Sequence, residues 1–166
     1  MAEEMLDIVN EKDEVVGKKS RKEAHEKGLL HRVVHVVIEN KKKEILTLTR
    51  SLNADTRPGF ISNCAEHLKS GETYQEAAER APQEELGVKV KPDLHGKVIV
   101  YDGKHNTIIG CFKAESDGPF KLDLNELQKT EFKSTEKIRK EISNGKKYSP
   151  TFTAVFEKLY GGRHNG

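Results

Sequence analysis

Residues 66–88 read EHLKSGETYQEAAERAPQEELGV, and the placement of charge, glycine and proline within them decides how the rest of the chain is read. The stretch opens on a turn at Ser70-Gly71 and closes on Gly87 followed by the β-branched Val88. Between them Glu76, Ala77, Ala78, Glu79 and Arg80 are good helix formers. Glu84 and Glu85 stand side by side on the last turn. Adjacent carboxylates in that place suit a hard divalent cation, which prefers oxygen ligands. The competing reading is a solvated helix face, the usual fate of a charge run.

The surroundings bear on that choice. With 166 residues the chain is long enough for one domain with a real core, and the domain is expected to span 1–166, its core about 5–160. The terminal GGRHNG, 161–166, is expected to be a flexible tail. Its 29 basic and 27 acidic residues nearly cancel, which leaves no whole-chain argument for nucleic acid or a membrane surface. No apolar run is long enough to span a bilayer. The N-terminal MAEEMLDIVNE has neither the basic nor the apolar segment of a signal peptide. Cys64 and Cys111 form no metal motif or disulfide framework, so a cytoplasmic setting is expected. Oligomeric state is not legible.

Working outward, HRVVHVVIE at 31–39 is β-branched and predicts a central strand, and EILTLTR at 44–50 alternates with period two. Residues 5–10 and 14–18 read as a hairpin, and Ser20 as the N-cap of a short helix stopped by Gly28. Further strands are expected at 60–64, 88–90, 96–101 and 107–114, and one rising from 124–133. Ser134 and Ser149-Pro150 open two helices, the second carrying Phe152, Val155, Phe156 and Leu159 at helical spacing. Strands and helices alternating irregularly predict an α/β domain with a mixed sheet covered on both faces.

With that order of elements, Glu72, Arg80, Glu84, Glu85, Gly87 and Val88 all fall in register with the Nudix box. That box is a Gly, five residues, a Glu, seven residues, then Arg-Glu-aliphatic-x-Glu-Glu-x-Gly-aliphatic. The chain therefore resembles the Nudix hydrolase superfamily. DIVNEKDEVVG, LLHR, ILTLTRS, PGF and the late GPF resemble the branch related to isopentenyl-diphosphate isomerase, over most of residues 6–160. The resemblance implies an α/β/α sandwich around a mixed sheet, with the box as loop, helix and loop. It implies hydrolysis of a nucleoside diphosphate linked to another moiety, with Mg²⁺ or Mn²⁺. A small-molecule diphosphate is then the partner, with no nucleic acid and no membrane. Glu84, Glu85 and Arg80 become the catalytic candidates, and Glu84 and Glu85 the metal ligands. Glu72 becomes a third ligand or a structural acid, and Arg80 pairs with the carboxylates. Arg50, ending its strand, is placed to meet the diphosphate, and His67 to touch substrate or stabilise a turn.

The same register exposes three departures. Glu66 stands where the box has its first Gly, Ala81 where it has the Glu after Arg, and Pro82 where it has an aliphatic. Proline inside a helix costs about 3 kcal/mol, so the helix is expected to break or the acidic pair to shift relative to Arg80. Without the Glu at 81 another acid must serve as base, with Glu66, Glu79 and Glu126 as candidates. A non-catalytic diphosphate-binding module is the alternative. An isomerase is a weaker one: Ala65 falls at that family's catalytic Cys, and Cys64, one residue early, points to the other face of a strand. His25 and His31 resemble the isomerase's paired histidines but stand one residue too close. His35 reads as a packed or hydrogen-bonded histidine, and Tyr101 and Phe120 as core residues or stacking platforms for a base.

Overall fold

A computed structural model describes residues 3–161; the expected tail from 162 onward lies outside them. In chain order the elements are β1 (Met5–Val9), β2 (Val15–Ser20), α1 (Arg21–Glu26), β3 (His31–Glu39) and β4 (Ile45–Arg50). β5 (Ile61–Ser62), β6 (Cys64–His67) and α2 (Tyr74–Leu86) follow. The chain continues through β7 (Asp93–Val100), β8 (Thr107–Glu115), β9 (Leu127–Lys133), α3 (Thr135–Ser143) and α4 (Pro150–Tyr160).

The sheet is mixed and grows from β3. β8 runs parallel to it in unbroken register, from His31 opposite Thr107 to Glu39 opposite Glu115, while β1, β4 and β6 pair with it antiparallel. β3 is buried almost throughout because both of its faces are covered. Val34, Val36 and Ile38 join Cys64 and Phe112 beneath Ala77, Ala78, Ala81 and Leu86 of α2. Val33 and Val37 join Ile109 and Cys111 beneath Ile138 of α3 and Phe152, Val155 and Phe156 of α4. Odd and even residues of one strand thus feed two cores, the expected α/β/α sandwich. No helix among the described residues is long and apolar enough to cross a membrane.

The α2 helix starts with a capping box: Thr73 Oγ1 accepts from Glu76 N–H at 3.1 Å and Glu76 Oε1 accepts from Thr73 N–H at 2.9 Å. Tyr74, the first residue of α2, lies against Gly110 of β8, where a Cβ would meet its ring at 2.7 Å. The helix does not break at Pro82, contrary to the expectation above; it continues to Leu86 and closes on left-handed Gly87 (φ 66°). Gly87 N–H bonds Gln83 O at 3.2 Å and Val88 N–H bonds Pro82 O at 3.3 Å. The proline sits close enough to the end that the missing donor removes one bond from a turn otherwise secured by this cap and by burial of the ring.

A second difference concerns residues 88–90, which are not a strand. Val88 and Val90 pack against the α2-side core instead, and β7 begins only after Pro92. The extended piece expected at 60–64 is two short strands, β5 pairing β4 and β6 pairing β3, with Asn63 between them.

Candidate active site

Arg80 organises the carboxylates of α2 and its leading loop. Its Nε and one terminal nitrogen hold the two oxygens of Glu72 at 2.9 Å each. The same terminal nitrogen donates to His67 O at 2.8 Å, and the other meets Glu84 Oε1 at 3.1 Å and Glu66 Oε1 at 3.6 Å. The i, i+4 spacing puts Glu84 over Arg80 on one helix face, so the acidic pair keeps its place despite Pro82. Glu72 also accepts from Lys69 N–H at 2.8 Å. Burial pushes its pKa up, but these hydrogen bonds outweigh it and hold the carboxyl below its ordinary value.

Glu85 lies in a different environment. It is half-buried beside Glu66, and Ala65 N–H donates to it at 3.4 Å. Burial first, then the negative charge of Glu66, pushes Glu85 well above the ordinary carboxyl range, and burial raises Glu66 as well. Two carboxyls this close share a proton rather than ionise together. The sequence marks Glu66 as a missing glycine and as one of three candidate bases; β6 places it on the same strand face as Cys64, turned toward α2.

Glu66, Glu84 and Glu85 form one wall of a cleft of about 1230 Å³, and Glu126 stands among its other lining residues. Glu72 and Arg80 support that wall without lining it, and Glu79 is not in the cleft. Arg50 does line it, but its guanidinium is partly engaged in bracing the loop that follows: Nε donates to Thr56 O at 2.8 Å and a terminal nitrogen to Thr56 Oγ1 at 3.1 Å. Arg57, from the same loop, reaches Asp102 at 3.2 Å. Tyr101 is exposed and Phe120 packs against the core, and neither lines the cleft.

His67 lines the cleft as part of a cluster that sequence spacing concealed. His67, His31 and His25 bring one ring nitrogen each within 4.8 Å of one another, and the ring of His105 lies 4.3 Å from that of His25. Burial leads in lowering all three pKa values, to about 4 for His25 and about 2 for His67. His31 Nδ1 donates to Leu29 O at 2.9 Å, and the Nε2 atoms of His25 and His31 are buried with no partner. Neutral imidazoles with converging lone pairs suit a borderline cation such as Zn²⁺. These residues come from α1, β3, β6 and the loop before β8, so no local motif could have announced the cluster.

A mixed sheet sandwiched between helices, with an acidic, arginine-ordered helix against its central strand, defines the Nudix class of fold. The sequence profile of the NUDIX domain matches residues 29–153, and the chain belongs to that family. An uncharacterised Nudix hydrolase of Clostridium acetobutylicum is 41% identical over 97 residues, which are 56% of this chain and 47% of that protein. The uncharacterised Nudix hydrolase YfcD of Salmonella typhi is 30% identical over 137 residues, 81% of this chain and 74% of YfcD. Among solved structures, DR0079 of Deinococcus radiodurans superposes with a TM-score of 0.81 at 23% identity, covering 95% of this chain and 99% of that one. The NUDIX domain of Shewanella oneidensis NrtR, solved with ADP ribose, superposes with a TM-score of 0.60 at 11% identity over 78% of this chain and 84% of its own.

Proposed function

We propose that the chain hydrolyses the diphosphate linkage of a small molecule, a nucleoside diphosphate joined to another moiety, using Mg²⁺ or Mn²⁺. The observation that carries this reading is the half-buried Glu66–Glu85 pair beside Glu84 on the cleft wall. An all-oxygen donor set suits a hard cation, and a shared proton marks a place where positive charge is missing. Glu66, Glu84 and Glu85 would hold the ion. Bound there, it would neutralise the diphosphate and lower the pKa of the attacking water.

The remaining roles fall to residues already placed. Glu66 takes over the carboxylate lost at Ala81, and Arg80 orients Glu84 while Glu72 anchors Arg80. Of the three candidate bases, Glu126 lines the cleft and is not assigned to the ion, so it would accept the water's proton. Arg50 keeps one guanidinium nitrogen for the diphosphate, and His67 borders the substrate. The test is a panel of nucleoside-diphosphate compounds, ADP-ribose among them, incubated with Mg²⁺ or Mn²⁺ while phosphate-containing products are followed. Binding without turnover on any compound would replace this reading with a diphosphate-binding module.

The histidine cluster favours a second metal, held by His25, His31 and His67. Elemental analysis of the purified protein checks it: about one equivalent of a transition metal is expected, lost in His31→Ala. An isomerase would need a reactive thiol, whereas Cys64 is 2% exposed and burial drives its pKa well up.

A further inference from the structure

His35 sits in the middle of β3, on the face opposite α2, and is 4% exposed. Its Nδ1 lies 3.0 Å from Oδ1 of Asn63, the residue between β5 and β6, itself 5% exposed. A carbonyl oxygen can only accept, so Nδ1 carries the proton and Nε2 keeps its lone pair. No described protein donor meets Nε2, and both His35 and Asn63 line the cleft. His35 is opposite Ala65 in the β3–β6 ladder, and Ala65 N–H donates to Glu85. The backbone of His35 is thus one strand from the acidic wall, while its side chain borders the same cleft from the other face of the sheet. Burial lowers the pKa to about 4, so near neutral pH the ring is uncharged and repels an unprotonated phosphate oxygen. It can receive a donor.

Other parts of the cleft lining are also uncharged and polar. Thr107 is 4% exposed, its Oγ1 has no partner, and it lines the cleft with Ser62 and Asn125. We infer that His35 determines specificity: its Nε2 accepts a hydrogen bond from a hydroxyl on the sugar or polyol part of the substrate, and Asn63 is the positioning residue that fixes the tautomer. The inference rests on the diphosphate-hydrolase reading and adds to it a hydroxyl-bearing moiety next to the diphosphate.

Calorimetric binding of ADP-ribose, UDP-glucose and inorganic pyrophosphate to wild type, His35→Phe and Asn63→Leu separates the cases. His35→Phe keeps the ring volume and removes the acceptor. It is expected to weaken at least one hydroxyl-bearing ligand about tenfold, the worth of one hydrogen bond, and to leave pyrophosphate unchanged. Long-range ¹H–¹⁵N spectra should show His35 as the Nδ1–H tautomer, with its Nε2 signal moving on ADP-ribose or UDP-glucose but not on pyrophosphate. In Asn63→Leu the tautomer preference should weaken. Equal loss for all three ligands, or no loss for any of them, would overturn the inference, as would a wild type that binds none of the three. Turnover is scored separately: wild type that binds with the expected contrast but hydrolyses nothing refutes the hydrolase reading alone. If His35→Phe does not fold, His35→Leu, which also removes the acceptor, supplies the same comparison.

Discussion

Arg80 donates four hydrogen bonds from one guanidinium, and its loss would strand Glu72 in a half-buried position. Arg80→Ala is expected to lower stability by about 3 kcal/mol, because an uncompensated carboxylate is left behind, and to reduce turnover about a hundredfold through a misplaced Glu84; urea melts and kcat check the two separately. The Glu66–Ala81 exchange can be tested by reversal. Glu66→Gly should abolish most of the activity, and Glu66→Gly with Ala81→Glu should recover it by restoring the carboxyl to the helix. A double variant as inactive as the single one would show that Glu66 does not replace the lost acid. These residues also separate what was readable from what was not. Six positions of the box are local and fixed in spacing, so they were legible. The partnership of Glu66 with Glu85 requires β6 to lie against α2, and the four histidines meet only in the folded sheet.

At the level of elements, Pro82 bends expectation more than it bends α2. Its missing N–H falls in the final turns, where the Gly87 cap supplies other closure. Pro82→Leu is expected to raise stability by about 1 kcal/mol, since the regained bond is worth less than a mid-helix proline costs; thermal melts decide the sign. Thr73→Ala should lose about 1 kcal/mol by undoing the capping box. The strand at 31–39 and the start of the helix after Ser134 were readable, because a β-branched run and a serine cap are local signals. The valines at 88 and 90 misled: their β-branched side chains serve core packing, and no neighbouring strand offers a ladder there.

Over the whole molecule the buried titratable groups set opposite pH limits. A carboxyl with a raised native pKa, as in Glu66 and Glu85, contributes stability below its unfolded value and loses it as pH rises through the native one. A histidine with a lowered native pKa does the reverse. Its contribution is whole above about pH 6.5 and falls as acid drives protons onto the unfolded chain; His25, His35 and His67 all belong here. Metal-free protein should therefore melt lower toward both acid and alkali, and millimolar Mg²⁺ should recover the alkaline side by replacing the shared proton. A Tm against pH that is flat above pH 5, with no shift on adding Mg²⁺, would count against the ion site. The parallel pairing of β3 with β8 adds a consequence in time. His31 and Thr107 are far apart in the chain yet adjacent in the sheet, so pairing β3 with β8 closes a loop that contains β4 to β7 and α2. Such long-range closure is slow. The shielding of the cleft's histidines, His31 on β3 and His105 just before β8 among them, is then expected to develop no faster than this closure.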